Sequence, residues 1–214
     1  MNMTDVIKRE SKRNRALWLS MIVALFIGGF ASAAAAQNTA AAKEDKANPA
    51  EAYFTDTVLV NQDGKQMRFY TDLLKDKVVI INTFFTTCTS VCPPMAKAIE
   101  RIQGLLGDRM NKDVHIISVS VDPETDTPPR LKDFGRKFNA KPGWYLVSGK
   151  KPNVEFVLRK LGQFVETKDD HSTILIIGNL RTGLWKKAMG LAKVDDLFKI
   201  VESVLNDNPE AAKE

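Results

Sequence analysis

The strongest constraint on the fold comes from a strand, a cysteine pair and a helix start that follow one another directly. Val78–Phe84 is a short, almost purely apolar run, typical of a central strand that is covered on both faces. Cys88 and Cys92 come next, and Pro93 and Pro94 suit the first turn of a helix. This order predicts a helix that begins at the cysteine pair, beyond the carboxyl end of a strand, where sites form in open α/β sheets.

The other periodic segments alternate between strands and helices, which predicts an α/β domain with helices packed on a sheet. A polar turn at 61–64 joins the first two strands as an N-terminal β-hairpin, and the last two strands form a second hairpin. Strands are predicted over Thr57–Val60, Gln66–Phe69, Val114–Val121, Trp144–Val147, Ser172–Ile177 and Leu184–Ala188, and helices over Pro129–Phe138, Asn153–Leu161 and Val194–Leu205.

The N-terminal 36 residues have the order of an export signal: a basic stretch, an apolar run over Ala16–Phe30 and small residues ending at Ala36. We expect cleavage after the small residues. The alternative is an uncleaved anchor, because no charge lies between Arg15 and Lys43 and about 20 apolar residues span a bilayer. Either way the domain is expected outside the cytoplasm, periplasmic or membrane-anchored. The predicted organisation is signal peptide or anchor at 1–36, flexible linker at 37–52, folded domain at 53–206 and tail at 207–214.

The charge balance argues against a nucleic-acid partner. The whole chain carries 31 Lys and Arg against 26 Asp and Glu, but the first 36 residues hold much of the excess. Beyond them basic and acidic residues are interspersed, whereas a polyanion-binding face needs clustered positive charge.

The two cysteines are better explained by a chemical role than by a structural disulfide. A bridge across three intervening residues closes too short a loop to stabilise a fold appreciably. At a helix N-terminus the backbone N–H groups favour thiolates. Two thiolates four residues apart on one helical face suit Cu(I) or Zn and can also close a disulfide. The alternative is a pair of inert core cysteines.

The two histidines lie in different settings. His115 begins a predicted strand and is interpreted as a partly exposed strand residue. His171 lies in a polar loop that leads into an apolar strand, where its imidazole can complete a three-ligand site with Cys88 and Cys92. A merely solvated loop histidine is the alternative.

Neighbouring residues have supporting interpretations. Asp169 or Asp170 can orient His171 as hydrogen-bond acceptors, although capping or solvation fits equally well.

The acidic segment 122–128 contains two prolines and predicts a rigid turn. Met95 fits the apolar stripe of its helix, Met189 is a soft alternative ligand, and the aromatic pair at 84 and 85 is expected to wall the site.

Three ordered motifs resemble the Sco/SenC family. They are Thr83-Phe-Phe-Thr-Thr-Cys-Thr-Ser-Val-Cys-Pro-Pro-Met95, Ser118-Val-Ser-Val-Asp-Pro-Glu-Thr-Asp-Thr-Pro128 and Asp170-His-Ser-Thr173. The resemblance covers about 52–205. It implies a thioredoxin-like fold with a central mixed sheet, a copper ion held by Cys88, Cys92 and His171, and redox activity of the two thiols. Asp122 matches the Asp-Pro turn of that family, with a supporting role.

The resemblance also implies partners: a cuproprotein such as a subunit of cytochrome c oxidase, whose binuclear copper centre the family helps to assemble, and a thiol reductant. Membrane association is expected if the N-terminal segment is retained. This chain has Thr89 and Ser90 where the family commonly has proline and aspartate, which bears on copper affinity. Copper delivery is the first hypothesis, and a periplasmic thiol–disulfide oxidoreductase is the second. A peroxiredoxin-type peroxidase is disfavoured because Phe85 occupies the position of its threonine.

Overall fold

The computed structural model describes residues 49–208. None of its described helices is both long and apolar enough to cross a membrane. The predicted signal or anchor, most of the linker and most of the tail lie outside the described residues. The helices are α1 (Pro49–Phe54), α2 (Cys92–Leu106), α3 (Pro128–Lys137), α4 (Lys151–Leu161) and α5 (Val194–Leu205), and the strands are β1 (Val58–Asn61), β2 (Gln66–Arg68), β3 (Val78–Phe84), β4 (Val114–Ser120), β5 (Trp144–Ser148), β6 (Ile174–Asn179) and β7 (Trp185–Met189).

The strands form one mixed sheet of seven, in the order β2-β1-β5-β4-β3-β6-β7. Strands β3, β4 and β5 run parallel, while β6, β7 and the β1–β2 hairpin pair antiparallel. The register pairs Val78 with Val114 and Phe84 with Ser120, so β3 and β4 end at the same edge of the sheet. The predicted mixed sheet and N-terminal hairpin are confirmed.

Apolar cores cover both faces of the sheet. Val78 and Ile80 pack into one core with α2, α3 and α5, while Val79 and Ile81 pack into the other with α1 and α4. All seven residues of β3 are buried, as the apolar run predicts for a central strand. The loop that carries Cys88 therefore leaves the sheet from a fully buried strand.

The end of the predicted linker is wrong, because residues 49–52 belong to α1. This short helix is held by its last two residues. Phe54 packs against Phe69 and Trp185, with ring centroids 6.0 and 5.4 Å away, and the Tyr53 hydroxyl donates to the carbonyl of Lys160 at 2.9 Å. The aromatic partners are distant in sequence, so composition alone did not reveal the helix.

His115 is not partly exposed as predicted; it is 5% exposed. A π-helical turn over Phe69–Leu74, which the strand pattern did not predict, covers it. The His115 Nδ1–H donates to the Leu73 carbonyl at 2.9 Å, and burial lowers the pKa of the imidazole despite that bond. His115 is a structural residue, far from the cysteines along the sheet.

Gly178 is a position where a side chain does not fit. A Cβ there would lie 2.3 Å from two ring atoms of Trp185, which itself packs on Phe54. Gly178→Ala is therefore expected to lower the free energy of unfolding by about 1–3 kcal/mol. Chemical denaturation measures this. Gly104→Ala is the matched control, because its Cβ meets nothing within 4 Å and alanine favours a helix interior by about 0.5–1 kcal/mol. Equal stability of the two variants would contradict the packing argument.

Candidate metal and thiol centre

The three predicted site residues meet at the carboxyl edge of the parallel strands. Cys88 lies in the loop after β3, and Cys92 is the first residue of α2. His171 follows a 3₁₀ turn, and two residues separate it from the start of β6. The Thr83 hydroxyl donates to the Ser172 carbonyl at 3.1 Å, which ties the histidine loop to β3.

Their donor atoms form a compact cluster. One ligand atom from each of Cys88, Cys92 and His171 lies within 4.8 Å of the others, and Cys92 Sγ is 3.4 Å from His171 Nε2. Cys88 and His171 are each 8% exposed and Cys92 is 2% exposed. Both cysteines are free thiols. Two sulfurs and one imidazole nitrogen form a soft to borderline donor set, suited to copper or zinc.

The Cys88 sulfur accepts a hydrogen bond from the first residue of α2. The donor is the Cys92 backbone N–H at 3.4 Å, and the Ser90 hydroxyl lies 3.8 Å from the same sulfur. Burial raises the pKa of the Cys88 thiol, but hydrogen bonds from Cys92 and Ser90 together outweigh burial and lower the pKa below its ordinary value. Ser90, which stands where the family commonly has aspartate, thus supports the Cys88 thiolate without adding a charge.

Cys92 has the opposite character. Burial, with the hydrogen bond to Cys88, raises the pKa of its thiol to about 12. Cys92 therefore stays protonated near neutral pH while Cys88 ionises more readily. In a thiol–disulfide exchange such a split would favour Cys88 as the attacking sulfur and Cys92 as the resolving sulfur.

Alkylation of the reduced protein by iodoacetamide measures the difference. Because the thiolate is the reactive form, Cys88 is expected to be alkylated first, with half-maximal rate at a pH below that of an ordinary thiol. Cys92 is expected to react only at strongly alkaline pH. Peptide mass spectrometry at a series of pH values distinguishes the two sites, and faster labelling of Cys92 would contradict the assignment.

His171 is oriented by the backbone. Its Nδ1–H donates to the Lys168 carbonyl at 2.9 Å, which leaves Nε2 pointing toward Cys92. Of the two interpretations given for Asp169 and Asp170, solvation is the one that holds: both are exposed, and the acceptor is a backbone carbonyl. The tight 3₁₀ turn already brings a carbonyl within reach, and a carbonyl serves the same purpose as a carboxylate.

Lys168 also fastens this loop through its side chain. Its ammonium lies 2.7 Å from a carboxylate oxygen of Asp122 and 5.3 Å from the Phe85 ring centroid. The Phe85 and His171 rings pack edge to face, with centroids 5.2 Å apart. Asp122 thus supports the histidine loop from the turn after β4. Phe85 walls the site as predicted, whereas Phe84 packs against Phe134.

Asp126 is a site residue that the sequence analysis missed. It is 1% exposed, and it accepts hydrogen bonds from the Thr86 N–H at 3.1 Å and hydroxyl at 2.5 Å, and from the Ser120 hydroxyl at 2.6 Å. Burial raises the pKa of its carboxyl against these bonds. The predicted turn is present, but its buried acid also holds the loop that leads to Cys88. Nothing in the local sequence separates Asp126 from the partly buried Asp122 and the exposed Glu124 beside it.

The two candidate methionines have ordinary positions. Met95 is 1% exposed in the core beneath α2, as its helical spacing predicts. Met189 is 62% exposed at the end of β7. Neither position adds an argument for a sulfur ligand beyond the two cysteines.

Comparison with known proteins identifies relatives. A family model described as SCO1/SenC matches residues 43–199. A SCO1 protein homolog of Bacillus subtilis is 33% identical over 118 residues, 54% of this chain and 60% of the relative. The chain thus matches less than two thirds of that relative's length.

Solved structures with the same fold include two that bear on the site. BsSco, a member of the Sco family of cytochrome c oxidase assembly proteins in which a disulfide switch has been identified, is 29% identical, with a TM-score of 0.58 over 69% of this chain and 90% of that one. ScoI of Bradyrhizobium japonicum, solved with copper bound, is 25% identical, with a TM-score of 0.57 over 69% of this chain and 96% of that one. The predicted thioredoxin-like fold is confirmed.

Proposed function

This chain belongs to the SCO1/SenC family, and we propose that it is an exported copper-binding protein that delivers copper to a cuproprotein. The observation that carries the proposal is the meeting of Cys88, Cys92 and His171, whose ligand atoms lie within 4.8 Å of one another at the rim of the sheet. The copper-bound ScoI structure supports copper as the cargo. BsSco belongs to a family of cytochrome c oxidase assembly proteins, which supports the binuclear copper site of that oxidase as the destination.

The residues divide the work of holding and releasing the ion. The Cys88 and Cys92 sulfurs and His171 Nε2 bind it, and both thiols lose their protons as it binds. The Lys168 carbonyl fixes the imidazole tautomer. Cys92 is the most buried of the three ligands, at 2% exposed against 8% for Cys88 and for His171. A ligand of the recipient therefore replaces Cys88 or His171 before Cys92, and Cys92 releases the ion last.

A thiol–disulfide oxidoreductase is the second candidate function, and the opposite pKa shifts of Cys88 and Cys92 favour it. The Cys88 thiolate attacks a disulfide of the recipient, and one recipient sulfur leaves as a thiolate. Cys92 then attacks the mixed disulfide. The recipient gains two electrons and two thiols, while this chain closes a Cys88–Cys92 disulfide that a thiol reductant must reopen.

Transfer to a recipient distinguishes the two functions. Copper-loaded full-length protein is mixed with the reduced, copper-free binuclear-site domain of cytochrome c oxidase, and the absorption of the binuclear centre is followed. Delivery predicts that the absorption appears without free copper, even with a copper chelator present. If the copper-loaded protein transfers no copper, but the reduced, copper-free protein restores the ability of an oxidised domain to take up separately added copper, the oxidoreductase is the better account.

The N-terminal segment supports placement outside the cytoplasm. The basic stretch, apolar run and small residues over 1–36 have the order of an export signal. We propose that the domain works in the periplasm or anchored to the outer face of the cytoplasmic membrane, where recipient cuproproteins are assembled. Fractionation with an antibody against residues of the described domain tests the location.

The Lys168–Asp122 ion pair is expected to affect copper retention without touching the ion. Lys168→Met removes the ammonium group that ties the histidine loop to the Asp122 turn. We expect copper affinity to fall by about tenfold, the low end of the effect of groups that orient a ligand. Competition with a chelator of known affinity measures it. Lys151→Met is the matched control, because Lys151 forms a more exposed pair with Glu124 at 3.2 Å. An equal loss in the two variants would contradict a specific role for Lys168.

A further inference from the structure

A groove of about 290 Å³ opens beside Cys88. Cys88 is the only one of the three site residues among those that line the groove in the described part of the chain. Thr86, Thr87 and Pro93, neighbours of Cys88 in the chain, also line the groove, and α3 contributes Arg130, Asp133, Phe134 and Lys137. A partner segment that reaches the centre through this groove therefore meets the Cys88 sulfur first.

The groove carries a net positive charge from α3. Arg130 and Lys137 are both exposed, and being seven residues apart they lie on one helical face, about 10 Å from each other along the axis. Asp133, the groove's own acid, forms an ion pair with Arg136. Neither Arg130 nor Lys137 has a carboxylate partner within residues 49–208. The groove thus presents two unneutralised cations beside a thiol.

We propose that this groove is the docking surface for the cysteine-bearing segment of a partner protein, and that Arg130 and Lys137 select segments with carboxylates next to the cysteine. The inference rests on the proposed exchange chemistry at Cys88, whether a metal or a disulfide is exchanged. Opposite charge on the partner raises the local concentration of the segment and the association rate. Phe134, 9% exposed, provides an apolar floor between the two charged groups.

The chemistry at the groove is ordinary disulfide exchange. The Cys88 thiolate attacks one sulfur of a partner disulfide, a Cys88–partner bond forms, and the partner's sulfur–sulfur bond breaks with its electron pair going to the departing thiolate. Cys92 then displaces the remaining partner sulfur, closes the Cys88–Cys92 disulfide and gives its proton to solvent. The charges of Arg130 and Lys137 act on the approach of the partner in the first step.

Two small disulfides of opposite charge test the proposal on the reduced full-length protein. Second-order rate constants are measured with dithiobis(nitrobenzoate), a dianion, and with cystamine, a dication. Their ratio cancels changes in thiolate reactivity that affect both reagents alike. In the double variant Arg130→Glu, Lys137→Glu the anion-to-cation rate ratio is expected to fall by at least about tenfold relative to the parent, the low end of electrostatic steering. At high salt the ratio of the variant is expected to approach that of the parent, because the charges are screened.

The matched control is Lys132→Glu, Lys141→Glu, which changes the net charge equally but lines a different cavity. Its ratio is expected to stay within about twofold of the parent. Unaltered reaction with the neutral disulfide dithiodipyridine checks that the folded centre survives. An unchanged ratio in the groove variant, or an equal fall in the control, overturns the proposal. Copper retention is measured on the same samples: its absence from the parent would remove the delivery function while leaving the groove result intact.

Discussion

Replacing His171 with alanine is expected to separate copper binding from thiol exchange. Copper affinity should fall by more than about 100-fold, the upper end of the effect of losing a group that merely orients a ligand, because one of three donors disappears. Exchange with a small disulfide should stay within a few fold of the parent rate, because the hydrogen bonds to the Cys88 sulfur come from Cys92 and Ser90. Chelator competition and stopped-flow exchange measure the two effects.

The other histidine is the control. His115→Ala removes the bond to the Leu73 carbonyl and is expected to lower stability while copper binding per folded molecule is retained. Equal copper loss in both histidine variants would mean that the effect is general unfolding. Full copper retention in His171→Ala would remove His171 from the ligand set, and a loss of thiol exchange in that variant would show that the imidazole acts as a proton acceptor for the cysteines.

Cys92→Ser is expected to stop the thiol reaction halfway and to abolish copper retention. Cys88, the cysteine whose thiol pKa is lowered, is still present and attacks a disulfide. No second sulfur remains to displace the bound partner. A stable mixed disulfide on Cys88 should accumulate to one equivalent, visible by intact-mass spectrometry. Copper binding is lost because the sulfur nearest His171 Nε2, at 3.4 Å, is absent.

Cys88→Ser gives the complementary result. It is expected to form no mixed disulfide near neutral pH, because the remaining Cys92 thiol is buried and its pKa is raised. Removal of Cys88 also removes part of the cause of that shift. The pH at which Cys92 is labelled therefore moves closer to neutral, but labelling at neutral pH stays slow. Rapid mixed-disulfide formation in Cys88→Ser, or none in Cys92→Ser, would reverse the assigned order of attack.

The main architecture could be predicted because its signals are local. The run Val78–Phe84, the prolines after Cys92 and the helical spacing of α2 each lie within one element, and every predicted strand and helix is present with ends shifted by at most two residues. Burial and periodicity are decided there by neighbouring residues. The failures lie where a contact joins distant parts of the chain.

Two residues and one helix illustrate this limit. His115 is buried by a turn 42 positions away through its bond to Leu73, and α1 depends on packing between Phe54 and Trp185. Asp126 reaches Thr86 across 40 positions. No local pattern predicts these contacts, because the order of strands and helices along the chain does not determine which loops come together at the edge of the sheet.

The site itself was predicted only in part from its residues. The cysteine pair is a local signal, but His171 lies 79 positions from Cys92. Its position before an apolar strand favoured a place over the sheet edge, and the family resemblance singled it out. The acceptor that orients it is a backbone carbonyl, which no choice of side chain reveals. Asp169 and Asp170 are exposed, as the alternative interpretation of them had it.

The most direct test of the central claim is the copper content of the reduced full-length protein, loaded anaerobically with Cu(I), passed through a desalting column and analysed for metal and protein. The arrangement of Cys88, Cys92 and His171 predicts one copper per chain in the parent, and little or none in Cys88→Ser or His171→Ala. A parent protein that is fully reduced and folded yet leaves the column without copper would contradict the delivery function.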